Sequence, residues 1–377
     1  MELKDLALEK KEGRMRLRVT VNWEECDEPN RELYIETESL FAEALSENYH
    51  PFLVGCIIPA MHFGEKRIRL KEKVCPTLLE GLKIVQGLMI QWSKGKYRPI
   101  SIESEILNSP RYAGSHRHGA LFLSGGIDSL AALRTILDHY PKNHPGSVRD
   151  CFMIHGFDIG GVIARGLKYH VFDRAVSALS HISHDAGVEL IPVYTNIRHL
   201  CDDRDLWLNK FFGAVLGAVA HAFSKRIHLA YIASSYDIPH LHPCGSHPLL
   251  DPSFSSSDLQ IIHRDLAMTR MEKIRKVAAW DAAFQHLRVC LANVPDRLNC
   301  GKCEKCVRTM LELLAVGVLH KTDAFVEKDV FPEHLSAFSI RIRERESFYR
   351  EILPLLAEKG RKDLVEKIEE KLLFDPV

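Results

Sequence analysis

The chain has 377 residues, of which 50 are basic and 50 are acidic, so its formal net charge is +0. A balanced charge offers no overall attraction to nucleic acid or to an anionic membrane, and it therefore disfavours both as partners. The charged start, Met1 to Asp5, lacks the apolar core of a signal peptide, and no apolar run approaches membrane-spanning length. These features predict a soluble, cytoplasmic protein of two or three domains.

Residues 1–110 combine strand and helix patterns, which predicts an N-terminal α+β accessory domain. Alternating apolar and polar residues predict strands at Arg16–Asn22, Glu32–Glu36, Lys66–Leu70 and Arg98–Ser104. A helix is predicted from Pro76 to Trp92, because proline is tolerated in a first helical turn and apolar residues then recur at helical spacing. The stretch 108–119, which contains proline and glycine, is the predicted domain boundary.

An apolar run ending at Leu123 is followed by Ser124-Gly125-Gly126-Ile127-Asp128-Ser129 and then by apolar residues at helical spacing. Free N–H groups at a helix start attract anions, and glycines let a phosphate approach the main chain. Asp128 can hold Mg²⁺ that bridges phosphate oxygens, and the hydroxyls of Ser124 and Ser129 can donate to those oxygens. The alternative is a glycine turn with a capped helix, but the whole pattern favours a nucleotide phosphate site.

Residues 119–330 alternate between strand and helix patterns, which predicts a doubly wound, mostly parallel α/β sheet. The predicted strands are Ala120–Leu123, Cys151–His155, Val188–Tyr194 and Arg226–Ala233. One predicted helix follows the glycine loop and ends near His139, and two others cover Val171–Ala186 and Trp207–Phe223. Ligands of such sheets lie beyond the carboxyl ends of strands, so Asp158 is a candidate for hydrogen bonding to the ribose or adenine of a nucleotide. Residues 234–264 are rich in Ser, Pro, His and Gly and predict a functional or disordered loop without a core element.

Four cysteines, Cys290, Cys300, Cys303 and Cys306, are close enough in sequence to bind one metal ion. Four thiolates complete the tetrahedral coordination of Zn²⁺ and leave no position for water, which predicts a structural zinc rather than a hydrolytic one. An iron–sulfur cluster is the alternative. A redox pair of cysteines does not account for the third and fourth thiols.

Residues 331–377 are strongly charged and helical in pattern, and they predict a C-terminal helical hairpin. Its apolar positions form two sets: Ile342, Phe348, Ile352, Leu355 and Leu356 in the first helix, and Leu364, Ile368 and Leu372 in the second. The mixed charges are typical of a solvated surface; a partner-binding hairpin is the less favoured interpretation.

The hexapeptide Ser124–Ser129 resembles the PP-loop signature of the ATP pyrophosphatases, and the Gly-Lys-Ser/Thr ending of a Walker motif is absent. Together with the four cysteines it resembles the 7-cyano-7-deazaguanine synthase family over roughly residues 119–312. The resemblance implies Mg·ATP as substrate, activation of a carboxylate or amide as an AMP adduct, release of pyrophosphate, and displacement of AMP by a nucleophile such as ammonia. It also implies that the helix around Met268–Ile274 brings Lys273 to the ATP phosphates, where Asp128 and Ser129 complete the catalytic set.

The resemblance weakens in the substrate loop, where the family carries a Tyr-Pro-Asp-Cys-Arg type of sequence and this chain carries Ser234–His240 and Cys244–Pro252. Polar residues of this segment are predicted to line the substrate pocket; they are Tyr236, Asp237, His247 and Asp251. Solvent-exposed histidines are a comparable alternative, and the spacing fits no common zinc site. The substrate is therefore a deazapurine, another small-molecule carboxylate, or a protein target in a defence or modification pathway.

The sequence thus favours an ATP-dependent adenylating ligase that forms AMP and pyrophosphate. A PP-loop enzyme of the tRNA-thiolation type and a non-catalytic nucleotide-binding adaptor are the alternatives. The expected partners are the carboxylate or protein substrate, ammonia and a second copy of the chain in a homodimer; nucleic acid is disfavoured by the neutral charge.

Overall fold

A computed structural model describes residues 1–114, 116–341 and 345–375 of the chain; Ser115, in the predicted boundary, and Ile342 lie outside the described residues. The strands are β1 (Glu2–Lys11), β2 (Arg14–Asn22), β3 (Arg31–Glu38), β4 (Arg67–Val74), β5 (Ser101–Ile106), β6 (His118–Phe122), β7 (Val148–His155), β8 (Glu189–Thr195), β9 (Ile227–Ala233) and β10 (Gln260–Arg264). They form one ten-stranded sheet in the order β10-β9-β6-β7-β8-β3-β2-β1-β4-β5.

The helices are α1 (His50–His62), α2 (Pro76–Trp92), α3 (Ile127–His139), α4 (Tyr169–Ala186), α5 (Arg204–Leu206), α6 (Phe212–Ala222), α7 (Arg270–Ala278), α8 (Asp281–His286), α9 (Glu304–Ala315), α10 (Glu346–Glu358) and α11 (Lys362–Phe374). A π-helical turn, Trp207–Phe211, leads into α6. The sheet separates two hydrophobic cores. Buried side chains of α1, α2 and α6 belong to one core, and those of α3, α4 and α7 to α11 belong to the other.

Strands β10, β9, β6, β7 and β8 are neighbours and run parallel. In β6, Ala120 and Phe122 pack into one core while Leu121 packs into the other. A strand that is buried on both faces has no polar side, which explains the continuous apolar run before the glycine loop. The prediction of an α/β fold with a mostly parallel sheet is confirmed.

Residues 1–106 build the other half of the same sheet. Strands β3, β2 and β1 pair antiparallel, and β3 also pairs antiparallel with β8, where Ile35 to Thr37 lie opposite Thr195 to Val193. Strands β4 and β5 extend this half in parallel pairs. Backbone hydrogen bonds between β3 and β8 therefore join the N-terminal segment directly to the strands that follow the glycine loop.

Several elements differ from the sequence predictions: strand β1 and helices α1, α5, α8 and α9 are not predicted, and the segment 234–264 is more ordered than expected. Helix α1 is not predicted, because its residues from His50 to Met61 are all buried and show no amphipathic period. The segment 234–264 was predicted to lack a core element, yet it ends in β10 and buries Leu250, Phe254 and Ile261. Their burial depends on helices distant in sequence: Phe254 packs so closely on α6 that a Cβ at Gly217 would lie 3.1 Å from the Phe254 Cβ.

Helices α10 and α11 are connected by residues 359–361 and contact each other. Their buried residues include Tyr349, Ile352, Leu356, Leu364 and Ile368, which pack into the core of α3, α4 and α7. None of the helices in the described ranges is long and apolar enough to cross a membrane.

Candidate functional site

A cavity of about 300 Å³ lies at the carboxyl ends of β6, β7 and β9. One wall, here called the loop wall, is formed by Leu123, Ser124, Gly126, Asp128 and Ser129 together with Arg288 and Lys305. The facing set, here called the imidazole wall, is formed by Tyr236, His242, Ser246, His247 and His263. Aromatic side chains of Phe157, Trp207 and Phe212 also belong to the lining. This edge of a parallel sheet is where open α/β proteins bind ligands.

The glycine loop joins β6 to α3. Gly125 has a φ of +79°, and a Cβ at this position would lie 3.0 Å from the Leu179 Cδ2 and 3.3 Å from the Arg288 Cβ. The Ser129 hydroxyl donates to the Gly126 carbonyl at 3.0 Å and accepts from the Ser124 amide at 3.3 Å. The two serine hydroxyls are 3.2 Å apart. The two serines therefore hold the loop in shape. The first amides of α3 have no partner within the helix, and amides in this position are able to bind an anion.

Asp128 is the acidic residue of the loop wall, with its side chain 25% exposed. Its Oδ1 lies 3.0 Å from the Arg270 Nη1 and 3.6 Å from the Lys273 Nζ. Burial opposes ionisation of this carboxyl, but Arg270 and Lys273 outweigh it and lower its pKa below the ordinary value. Asp128 is therefore ionised at neutral pH and neutralised by its two cationic neighbours.

Helix α7 supplies both cations. Its start is fixed by a capping box in which the Glu272 amide donates to the Thr269 hydroxyl at 3.3 Å and the Thr269 amide donates to the Glu272 carboxylate at 2.8 Å. Arg270 and Lys273 follow at i, i+3 spacing and lie on one side of the helix. The Lys273 side chain is only 1% exposed, and its Nζ donates to the Ser234 carbonyl at 2.6 Å. Lys273 thus lies directly behind two residues that line the cavity.

Charged residues of helix α9 hold Arg270 of this pair in place. Glu312 is fully buried and accepts from the Arg270 Nε at 3.0 Å and from the Arg270 Nη2 at 3.1 Å. Arg308 donates to the Glu304 carboxylate at 2.9 Å. Glu304, Arg308 and Glu312 all lie on α9, so that one helix fixes the orientation of the Arg270 guanidinium through ion pairs.

The four predicted cysteine ligands are brought together. The sulfurs of Cys290, Cys300, Cys303 and Cys306 all lie within 4.8 Å of one another, and two of the pairs are 3.9 Å apart. Tetrahedral Zn²⁺ with Zn–S bonds of about 2.3 Å requires sulfurs about 3.8 Å apart, so the cluster fits a metal ion of this size. Contacts among these sulfurs lower the pKa of Cys290 and raise the pKa values of Cys303 and Cys306, so that Cys290 is the favoured thiolate of the cluster without a metal ion.

The cysteine cluster adjoins the loop wall. The Arg288 amide, two residues before Cys290, donates to the Gly125 carbonyl at 2.8 Å. Helix α9 begins immediately after Cys303 and carries Lys305, which lines the cavity. A metal bound by the four sulfurs would therefore fix both Arg288 and the first turn of α9 against the glycine loop.

The predicted substrate residues are not all placed in the same way. Tyr236 and His247 line the cavity, and the Tyr236 ring also stacks on Phe348 of α10 with centroids 5.3 Å apart. Asp237 and Asp251 do not belong to the lining. Asp237 forms an ion pair with His240, three residues later, and Asp251 is fully buried behind the wall.

The predicted nucleotide residues mostly share the cavity. Ser124, Gly126, Asp128, Ser129 and Asp158 line it, whereas Gly125 lies behind the loop against Leu179 and Arg288. The Asp158 carbonyl accepts from the Asn293 side chain at 2.6 Å, which fixes the turn after β7. Asp158 therefore lines the same cavity as the glycine loop, from the turn that follows the neighbouring strand β7.

Sequence reasoning missed several residues of the site: Arg270, Arg288, His263, Lys305 and Trp207. Arg270 had a usable signal, because it precedes Lys273 by three residues on a predicted helix. His263 had none, since it belongs to a strand that was not predicted. Comparison of the chain with protein-family models, with curated proteins and with solved structures found no match.

Proposed function

We propose that the protein is an ATP-dependent adenylating ligase. In this reaction a carboxylate oxygen of the substrate attacks the α-phosphorus of ATP, the bond between the α-phosphorus and the bridging oxygen breaks, and pyrophosphate leaves with the electron pair. The observation that carries the proposal is that one cavity joins the Ser124–Ser129 loop, backed by Arg270 and Lys273, to a separate wall of aromatic and imidazole side chains. A ligase of this kind needs a phosphate end and an acid-binding end in one space.

Each group at the phosphate end has a role in this proposal. The amides at the start of α3 bind phosphate oxygens, and Gly126 keeps side chains away from them. Arg270 and Lys273 offset the negative charge that develops on pyrophosphate as it leaves, and donors placed where charge develops contribute most to the rate. Both are already ion-paired and oriented, so little reorganisation is needed when ATP binds.

Asp128 fits the requirement for Mg²⁺ binding. Mg²⁺ prefers oxygen ligands and is commonly held by one or two carboxylates together with substrate phosphates. Asp128 offers an ionised carboxylate that is partly exposed to the cavity. When bound, the ion would neutralise phosphate charge, which Asp128 alone would repel.

The acid-binding end suits a planar, partly polar substrate. Trp207 packs edge-to-face on Phe157 at 4.9 Å, and the buried Arg198 guanidinium lies 4.3 Å above the Trp207 ring, so the indole is rigidly held. Phe157 and Phe212, which are partly exposed, line the cavity together with Ser246, His247 and Tyr236, so aromatic rings can stack on a heterocycle while polar groups donate hydrogen bonds to its edge. A carboxylated deazapurine has these properties and is the first acid to test.

One observation favours the thiolation alternative. The buried thiol of Cys244 lines the cavity, and a sulfur-transferring enzyme needs a cysteine near its activated substrate. A Cys244→Ser variant decides between the two: the ligase keeps its rate of ATP cleavage and transfer to ammonia, whereas a thiolase loses transfer. Metal analysis adds a second criterion, because iron in the cysteine cluster would favour the thiolase.

The direct test combines protein, Mg·ATP and carboxylated deazaguanine and measures nucleotide products. AMP and pyrophosphate are expected, and ADP as the product would contradict the mechanism. We expect Lys273→Met to lower kcat by roughly 10²- to 10³-fold, since it removes a charge that acts on the leaving group. Lys276→Met is the matched control, because Lys276 is on the same helix but pairs with Asp138 at 3.1 Å outside the cavity; an equal loss in both variants would sink the assigned role.

A further inference from the structure

The imidazole wall contains a carboxylate–histidine pair that the phosphate chemistry does not use. The Asp251 carboxylate is fully buried and lies 2.7 Å from the His263 Nδ1. Asp251 also accepts from the Ser246 hydroxyl at 2.5 Å and from the His247 amide at 3.3 Å. The Asp251 carboxylate accepts hydrogen bonds from a hydroxyl and from a backbone amide, so it acts as an acceptor throughout. The hydrogen atom between Asp251 and His263 is therefore bonded to the His263 Nδ1.

This assignment fixes the tautomer of His263. With the hydrogen on Nδ1, the neutral ring carries a lone pair on Nε2. His263 lines the cavity and Asp251 occupies its Nδ1, so Nε2 is the ring nitrogen that remains for a ligand. The ring is 4% exposed and is held at the end of β10, which restricts its rotation.

His247 is in the opposite tautomer, with its ring hydrogen on Nε2. Its Nδ1 accepts from the Leu249 backbone amide at 3.1 Å, and because a backbone N–H only donates, the ring hydrogen of neutral His247 is on Nε2. Its ring packs edge-to-face against Trp92, at the end of α2, with centroids 5.2 Å apart. The same wall thus presents one imidazole acceptor and one imidazole donor to the cavity.

From this pair of tautomers we infer that His263, oriented by Asp251, is the general base of the second half-reaction and takes a proton from the attacking ammonium ion or primary amine. The inference rests on the proposed function. An amine is protonated at neutral pH and attacks only after it loses a proton. The His263 Nε2 takes that proton, the nitrogen attacks the acyl carbon of the adenylate, and the bond from that carbon to the AMP oxygen breaks with the electron pair leaving on AMP. His247 donates from Nε2 to the acyl substrate.

Separate measurement of the two half-reactions tests this assignment. Pyrophosphate exchange into ATP, with carboxylated deazaguanine as the acid, reports adenylation; release of AMP with ammonium chloride reports transfer. For His263→Gln we expect transfer to ammonium to fall by roughly 10²- to 10⁴-fold, the usual contribution of a general base. Pyrophosphate exchange should stay within about threefold of wild type, because His263 accepts the proton only during transfer. Hydroxylamine is unprotonated at neutral pH, so it should restore transfer.

Asp251→Asn tests the positioning role. An asparagine amide can donate to Nδ1 and thereby favour the tautomer with hydrogen on Nε2, which cannot accept a proton. We expect this variant to lose transfer to ammonium and keep transfer to hydroxylamine, a split that simple loosening of the loop does not produce. His181→Gln, on an exposed residue of α4, is the matched control and should behave as wild type.

The outcomes distinguish failure of the base assignment from failure of the proposed ligase function. If wild-type protein exchanges pyrophosphate and His263→Gln transfers to ammonium at the wild-type rate, the base assignment is overturned while the ligase stands. A folded His263→Gln variant that loses exchange as well, or that loses hydroxylamine transfer equally, also overturns it. If wild-type protein shows no exchange with this acid, the proposed ligase function fails, and the base assignment fails with it.

Discussion

The loop wall and the imidazole wall hold buried charge in different ways. Behind the loop wall, Arg270 bridges two carboxylates, Asp128 and Glu312, and Lys273 adds a second cation to Asp128. Positive and negative charges alternate within this group of four residues, so each of the four has a partner of opposite sign. On the imidazole wall, the fully buried Asp251 is instead surrounded by a hydroxyl, an imidazole and a backbone amide.

The difference has chemical consequences. Paired, oriented ions keep their charge over a wide range of pH and suit the binding of a polyphosphate and the stabilisation of its leaving group. Imidazoles change protonation between about pH 5 and 8 and suit proton transfer. One cavity therefore has paired ions behind one wall and imidazoles on the other, and perturbing either wall should leave the other nearly intact.

Removal of the metal proposed for the cysteine cluster should have the largest effect. Arg288 and α9 connect the cluster to the loop wall, so both supports loosen when the four sulfurs lose their ion. We expect chelation to lower the free energy of unfolding by more than roughly 5 kcal/mol, because loss of a structural metal is among the most damaging single changes. Hydrogen exchange measured by mass spectrometry should rise at residues 124–129 and 300–312.

Residues 244–263, on the imidazole wall, provide the internal reference in that measurement. An equal rise in exchange on both walls would show that the cluster supports the whole domain and not the loop wall in particular. Cys303→Ser should reproduce the effect of the chelator, whereas Cys26→Ser, at a thiol outside the cluster, should keep its metal content.

Glu312→Gln tests whether ion pairing holds the loop wall together. The substitution leaves Arg270 with one carboxylate and removes a negative charge 3.8 Å from Arg308. Breaking a buried ion pair from one side typically costs about 3–5 kcal/mol, and we expect a loss of that size in urea denaturation. Glu80→Gln, whose partner Lys83 is as exposed as Glu80 itself, should be almost neutral. A loss in Glu312→Gln no larger than in this control would contradict the role of ion pairs.

The same contrast explains what the sequence could and could not predict. The glycine loop covers six residues and the cysteine cluster seventeen, and both were recognisable because their chemistry is local: a strand–helix junction and a ligand spacing. The strands from β6 to β9 were also predicted, since each is a short apolar run followed by a helical pattern.

The imidazole wall could not be predicted in this way. Its parts come from residues 236–247 and from His263, and they meet only because β10 pairs with β9 and α6 packs beneath Phe254. Asp251 was predicted to line the substrate pocket but lies behind the wall, and its partner His263 lies twelve residues away on a strand whose sequence carries too little apolar period to be recognised. Non-local pairing, rather than residue type, decides which polar groups face the cavity.

His247→Gln should change stability the least of these substitutions. Its effect should depend on pH in a range where a substitution on the loop wall has no such dependence. Burial, with His263 beside it, lowers the pKa of His247 below the ordinary value of 6.5, so the unfolded chain binds this proton more readily than the folded protein. The stability that depends on neutral His247 is therefore complete above about pH 6.5 and is lost as the pH falls below it. We expect the variant to reduce the slope of unfolding free energy against pH below 6.5, by at most about 1.4 kcal/mol per pH unit for one proton.

Asp128→Asn is the comparison on the loop wall. Arg270 and Lys273 lower the pKa of Asp128 against the opposing effect of burial, so its contribution to stability is present above about pH 4 and is lost only below that value. Between about pH 5 and 6.5 the slope for Asp128→Asn should therefore match that of wild type even if its stability is lower throughout. Urea denaturation across this pH window gives the slope of unfolding free energy against pH for wild type, His247→Gln and Asp128→Asn. If all three slopes are equal, burial does not lower the pKa of His247, and the imidazole wall is open to water.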